Sequence, residues 1–249
     1  MSYTLLYPVS YSNSPYKYIM TLNYNSYYKD LANKSVSWLP MDSEELYNEN
    51  LKKNYSLLES NNWINNPFTY SFNSNGFRCG EFTGESSIMF LGCSMTMGIG
   101  LPEHTRWTDI VASSLNLRCA NLGIGGSSSD TAFRLCHGWI DIIKPNLVIF
   151  YRPPGIRNEV VTDTTIINIA APYTPGFNYF KNWIVDDNNN TFNFLKNTLA
   201  IEHLCQLRSI KCVHVSDNSE TIKDDWARDL SHPGIRSNAQ LAEKTLSLI

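Results

Sequence analysis

The chain has 249 residues, 20 Lys and Arg against 23 Asp and Glu, and a formal net charge of −3, with no run of positive charge, which argues against a nucleic-acid partner. Its longest apolar stretches fall far short of the ~20 residues that cross a bilayer, and the opening "MSYTLLYPVS" lacks the basic segment and long apolar core of an export signal. A soluble protein with no membrane partner is expected.

Residues 1–80, rich in Tyr, Asn and Ser, read as an N-terminal extension packing on a main domain of residues 81–249. In the extension, "DSEELYNENLKKNYSLLES" (42–60) predicts a helix opening on an Asp or Ser cap. "FTYSFNSNGFRC" (68–79) predicts a hairpin around Asn-Ser-Asn-Gly.

The main domain alternates strand and helix. "SSIMFLG" (86–92) is a strand, and "TRWTDIVASSLN" (105–116) places Trp107, Ile110, Val111, Ser114 and Leu115 on one helical face. "RCANLG" (118–123) is the next strand, followed by a Ser- and Asp-capped helix (127–144) carrying Phe133, Cys136, Trp139, Ile140 and Ile143. "NLVIFY" (146–151) is continuously apolar, as a parallel strand covered on both faces should be. A non-periodic insertion over roughly 152–190 precedes a helix at 192–209, a strand at 211–216 and a closing helix from Pro233. This alternation predicts a three-layer α/β/α sandwich with a mostly parallel central sheet. Ligands bind such sheets outside the carboxyl ends of the strands.

Three stretches at that edge carry chemistry. "FLGCSMTMGIG" (90–100) is a strand ending in a Gly-rich loop around Ser94, and "NLGIGGSSSD" (121–130) is a second strand-to-helix Gly-rich turn. The latter is not GxGxxG, which argues against a dinucleotide site; alone, it is a tight turn without a ligand. In "DWARDLSHPG" (225–234), Asp229 lies three residues before His232, a spacing at which the carboxylate can bend back to accept the Nδ1 proton and leave Nε2 as a base. An arbitrary DxxH is more simply a surface loop with a capping Asp. His137 and His214 fall in core elements and read as packed. The six cysteines are scattered, without a CxxC pair, and read as reduced structural thiols rather than a zinc site.

Together the three stretches resemble the SGNH (GDSL-like) hydrolase family, over roughly residues 78–249. The first matches its Gly-Asp-Ser loop except that Cys93 stands for the Asp. Asn121, Gly123 and Gly126 match its Asn-x-Gly-x-x-Gly loop, and Asp229 and His232 match its Asp-x-x-His block. "NSNGFRCGEF" is similar to the Asn-x-x-Gly-Phe-Arg lead-in of some members, phage-encoded ones included. The family's Gly-x-Asn-Asp block after the third strand is absent: Gly155 stands near the matching position of the Asn, Asn158 is displaced, and Arg157 is a second candidate donor.

The resemblance implies a flavodoxin-like SGNH hydrolase fold and a short-acyl ester hydrolase, with a small-molecule or glycan ester as substrate. Ser94 is then the nucleophile, His232 its base and Asp229 the orienting carboxylate. The Ser94 and Gly126 N–H groups form the oxyanion hole, helped by Gly155, Arg157 or Asn158. Gly98 and Gly100 leave room for the acyl group, and no metal or organic cofactor is needed. The competing readings are a non-catalytic glycan-binding or virion-associated structural protein, assembling with other virion proteins, and an acyltransferase using the same serine. Cys93 as nucleophile is a further alternative, countered by its side chain pointing away from that of Ser94. The location is cytoplasmic or virion-associated.

Overall fold

The computed structural model describes residues 24–161, 166–170, 186–216 and 225–249. The first part of the chain supplies β1 (Ser35–Val36), α1 (Glu44–Lys53), α2 (Tyr55–Ser60) and β2 (Tyr70–Ser71). Ser43 caps α1 by accepting from Leu46 N at 3.2 Å. The single helix expected over 42–60 breaks at Asn54, whose φ of −132° is not helical. The hairpin expected around Asn73–Gly76 is instead a tight turn, with Asn73 Oδ1 accepting from Asn75 N and Phe77 N, both at 3.0 Å. β2 pairs antiparallel with β1, so its strand partner lies well upstream in sequence, at Ser35↔Ser71 and Val36↔Tyr70.

The central sheet is built from β3 (Ser87–Leu91), β4 (Arg118–Asn121), β5 (Leu147–Tyr151) and β8 (Lys211–Val215), in the order β4-β3-β5-β8 and parallel throughout. Between them lie α3 (Ser94–Met97), α4 (Trp107–Ser114), α5 (Ser129–Ile143) and α6 (Asp187–Gln206), with α7 (Ile235–Leu246) closing the chain. β3 and β5 are buried at every position, which explains their unbroken apolar runs. One core packs α5 and α6 on the sheet through Met89, Leu135, Ile140, Phe150 and Ile201. The other packs α4 and α7 on the opposite face through Phe90, Trp107, Val111, Ile149 and Leu241. The fold is therefore the expected α/β/α sandwich. The first strand of the sheet has its successor on one side and the third strand on the other, so a crevice opens between the carboxyl ends of β3 and β5.

Two described parts of the insertion after β5 form regular structure. β6 (Arg157–Val161) and β7 (Ile166–Ala170) pair antiparallel, and the polar "DDNNN" opens α6, with Asp186 accepting from Asn189 N at 2.9 Å. The hairpin is fastened to α5 by a buried charge pair. Arg134 Nε meets Glu159 Oε1 at 2.6 Å and Nη2 meets Oε2 at 3.0 Å, with both side chains at most 4% exposed. Tyr27 OH and Thr131 Oγ1 also donate to Glu159, at 2.5 and 2.7 Å. Burial, with the Glu159 charge adding to it, pushes the Tyr27 phenol well above its ordinary range, so it stays a donor.

His137 and His214 are not packed in the core. Both lie at the surface, His137 bonded through Nδ1 to Tyr24 OH at 2.9 Å and His214 through Nε2 to Glu202 at 2.8 Å. Helical and strand periods put them on outward faces that their apolar neighbours obscured.

Removing one partner of a buried charge pair leaves the other uncompensated. Glu159→Ala is expected to destabilise the protein by about 3–5 kcal/mol in urea unfolding, and a loss under about 1 kcal/mol would show that Arg134 reaches water instead.

Candidate active site

β3 ends at Leu91, and the chain turns at Cys93 into the single helical turn α3, whose first residue is Ser94. The turn is held from both ends. Cys93 O accepts from Thr96 N at 3.0 Å and Met97 N at 2.9 Å. At the other end Arg78 gathers the carbonyls, donating to Gly98 O at 2.5 Å, Met97 O at 3.2 Å and Leu101 O at 2.6 Å. Arg106 in turn donates to Arg78 O at 2.7 Å. Burial, then the neighbouring Arg106 charge, pulls Arg78 down to about 9, still charged at neutral pH. The Gly-Phe-Arg lead-in is thus the clasp on the Ser94 turn.

Asn121 and Gly123, matched in the second block, support α3 from below. Asn121 Nδ2 donates to Thr96 O at 2.7 Å and its Oδ1 accepts from Gly123 N at 2.9 Å. A Cβ on Gly123 would stand 2.6 Å from Met97 N, so only glycine allows this contact. Gly126 has φ +74° and its carbonyl accepts from Asn168 Nδ2 on β7.

Ser94 is 4% exposed and lies in a cleft of about 470 Å³ walled by Tyr151, Arg152, Gly155, Arg157, Ser216 and His232. Ser94 Oγ makes no hydrogen bond to a described residue. His232 Nδ1 and Asp229 Oδ2 are 2.5 Å apart. Asp229 is 2% exposed, and its Oδ1 accepts from Ser231 N and His232 N, both at 3.1 Å. With its carboxylate committed to the turn and to the ring, Nδ1 carries the proton and Nε2 is the basic nitrogen.

The Asp229–His232 turn is fixed by contacts that motif reading did not find. Arg228 N donates to Gly100 O at 3.0 Å, and Ala227 N to His232 O at 2.8 Å. The Arg228 side chain is buried against Asp42, Nη2 to Oδ2 at 2.7 Å, with its guanidinium 4.0 Å from the ring centres of both Trp38 and Phe68. Trp63 Nε1 donates to Trp226 O at 2.7 Å, and Trp226 N to Asn61 Oδ1 at 2.8 Å. Asp42, Asn61 and Trp63 lie more than 160 residues from their partners in sequence, so no local pattern announces them.

Of the residues proposed for the oxyanion or substrate, Gly155 and Arg157 line the cleft. Asn158 does not: it is 2% exposed, and its Oδ1 accepts from Asn193 on α6 at 3.1 Å. Alternation along β6 sends consecutive side chains to opposite faces, which takes Asn158 away from Ser94. Gly126 is likewise outside the cleft wall. Cys93 packs in the core beneath α4 and α7 and also lines the cleft beside Ser94. Gly98 and Gly100 do not make room for an acyl group. The space beside Gly98 holds the Arg106 stem, and a Cβ on Gly100 would meet Ala227 Cβ at 2.7 Å and Asp229 Oδ1 at 3.2 Å.

No family model and no curated protein matches the chain. Among solved structures it is similar to TesA, at 11% identity and TM-score 0.47 over 66% of this chain and 97% of that one. It is also similar to the acetyl xylan esterase Est2A from the rumen bacterium Butyrivibrio proteoclasticus, at 11% identity and TM-score 0.36 over 73% of this chain and 66% of that one. A GDSL-like lipase from Bacteroides thetaiotaomicron gives 13% identity and TM-score 0.31 over 78% and 95%. Likenesses this distant do not assign an activity, which has to come from the residues.

The junction at Gly100 has a direct test. With φ +76° and no space for a Cβ, Gly100→Ala is expected to destabilise by about 1–3 kcal/mol. Gly80→Ala, where a Cβ meets nothing within 4 Å, should stay within about 0.5 kcal/mol. Equal urea midpoints for the two variants would show that the junction is loose.

Proposed function

We propose that this chain is a serine ester hydrolase, an O-acetyl esterase acting on a carbohydrate or a related short-acyl esterase. The observation that carries the reading is the 2.5 Å contact between His232 Nδ1 and buried Asp229 in the cleft that also holds Ser94.

In this reading His232 Nε2 takes the Ser94 hydroxyl proton as Oγ attacks the ester carbonyl carbon. The tetrahedral oxyanion is met by the Ser94 N–H at the head of α3, a donor worth roughly 3–4 kcal/mol of transition-state stabilisation; Gly126, outside the cleft wall, is not assigned this role. Collapse breaks the carbon–oxygen bond to the alcohol, which leaves with the proton from His232. Water, deprotonated by the same nitrogen, then attacks the acyl-enzyme, releases the carboxylic acid and restores Ser94. Asp229 keeps its negative charge and stabilises the imidazolium that forms twice per turnover. Every step uses groups of the chain itself, so no cofactor enters the scheme. The Ser94–His232 hydrogen bond forms as substrate closes the cleft, in keeping with the looser geometry of unliganded sites.

A non-catalytic glycan-binding protein on the same scaffold is the second reading, favoured by the missing third-block Asn and by the unbonded Ser94 hydroxyl. Labelling with a serine-reactive fluorophosphonate separates the two. An adduct on the Ser94 peptide, lost in Ser94→Ala, is expected, whereas a folded protein that never labels supports the binding reading. On a generic acetyl ester, His232→Ala should cost at least about a thousandfold in kcat, and Cys93→Ser should stay within about tenfold. A dead Cys93→Ser beside an active Ser94→Ala would transfer the nucleophile to Cys93.

A further inference from the structure

Arg157 and Arg152 stand at the two ends of the loop after β5, and both line the cleft that holds Ser94 and His232. Neither forms an ion pair with a described residue. Arg157 Nη1 is shielded from solvent and has no hydrogen-bond acceptor among the described residues. An arginine brings a planar set of donors on a cationic group, and a buried donor left without an acceptor is costly. Of the described acidic groups near the loop, Glu159 is held by Arg134, Asp229 by His232, and Asp130 by the amides of Asn193 and Asn197 and the N–H of Glu159. The cleft is therefore a local positive site on a chain whose formal net charge is −3.

The two cations are also held in place. Arg152 N donates to Val215 O at 2.9 Å, and its guanidinium lies 4.4 Å from the ring centre of Phe194. Arg157 is the first residue of β6 and is paired in register with Ala170. Between them Pro153 and Pro154 limit the backbone. Arginines fixed in this way lose little freedom when an anion arrives, which favours tight recognition of a planar carboxylate.

We propose that the substrate is an anionic ester, one bearing a carboxylate that Arg157 binds, with Arg152 at the cleft rim adding to the attraction. The inference rests on the hydrolase reading for the reaction but not for the binding. It assigns Arg157 to substrate charge rather than to the reacting oxygen. The carboxylate can belong to the acyl part, as in a hemisuccinate, or to the alcohol part, as in an acetylated uronate.

Two measurements test it. The first compares kcat/KM for 4-nitrophenyl hemisuccinate with 4-nitrophenyl acetate, and for acetylated glucuronate with acetylated glucose. At least one charged member should exceed its neutral partner by about tenfold or more, as one charge-assisted hydrogen bond allows, and which pair responds locates the carboxylate. Arg157→Gln should remove most of that ratio, through KM, and Arg157→Lys should restore part of it. Equal losses on charged and neutral esters would overturn the proposal by making Arg157 a donor to the reacting oxygen. The second measurement is calorimetric binding of succinate and of glucuronate to Ser94→Ala, which needs no turnover. Binding that weakens in about 0.5 M salt and disappears in Arg157→Gln supports the anion site even if no ester is cleaved, in which case the hydrolase reading alone fails. No binding of either anion, together with no charge preference, would sink the anion site.

Discussion

The buried pair of Asp42 and Arg228 holds the candidate site to the rest of the molecule. Neither charge could be stripped of water alone, and their attraction offsets that cost only because hydrogen bonds complete the pair. Ser37 O accepts from Arg228 Nη2 at 2.7 Å, Tyr70 OH donates to Asp42, and Gly100 N donates to Tyr70 OH at 2.8 Å. One network thus joins residues 37, 42 and 70 to the loop after α3 and to the residue preceding Asp229. The orientation of Asp229 and His232 is consequently coupled to the first third of the chain, which also packs against the loop after α3 through Tyr70 and Phe72. A segment that looks like an accessory by composition supplies the back wall of the Asp229–His232 turn.

The parallel sheet supplies the other half of the geometry. Because β3, β5 and β8 run the same way, the loops that follow them emerge at one edge and converge on one cleft. Each loop is then braced by a different device: Arg78 beneath the Ser94 turn, Arg134 beneath the β6–β7 hairpin, Arg228 beneath the histidine turn. All three arginines are buried and direct guanidinium donors to carbonyls or carboxylates. A guanidinium can bridge several acceptors at once, which suits it to fastening irregular backbone that has no ladder of its own.

The sheet and its helices were legible in sequence because long apolar runs and a helical period report burial directly, as in β3, β5 and α5. Ser94, Asp229 and His232 were legible as a set because each sits in a short local pattern. The β6–β7 hairpin was not, since Arg157–Val161 has one fully buried position and the strand depends on Arg134 from another element. Nor was the break at Asn54, or the pairing of β2 with β1, where partners lie far apart in sequence. Asn158 misled for a related reason: its distance along the loop was readable, but its face on β6 was set by a register that only the partner strand defines. Asp42 read as a candidate helix cap and Arg228 as a charged residue in a polar loop, and nothing local in either segment announced their pairing.

The charge of the cleft follows from the same long-range pairing. Arg157 and Glu159 are two apart on β6, so their side chains share a face and could have neutralised one another. Arg134 prevents this by holding both carboxylate oxygens of Glu159, with Tyr27 and Thr131 adding donors to the same group. An arginine on the middle layer's covering helix thereby leaves another arginine unpaired beside Ser94. The acidity of the chain as a whole is no guide to what its cleft attracts, because local pairing decides which charges remain free to meet a ligand.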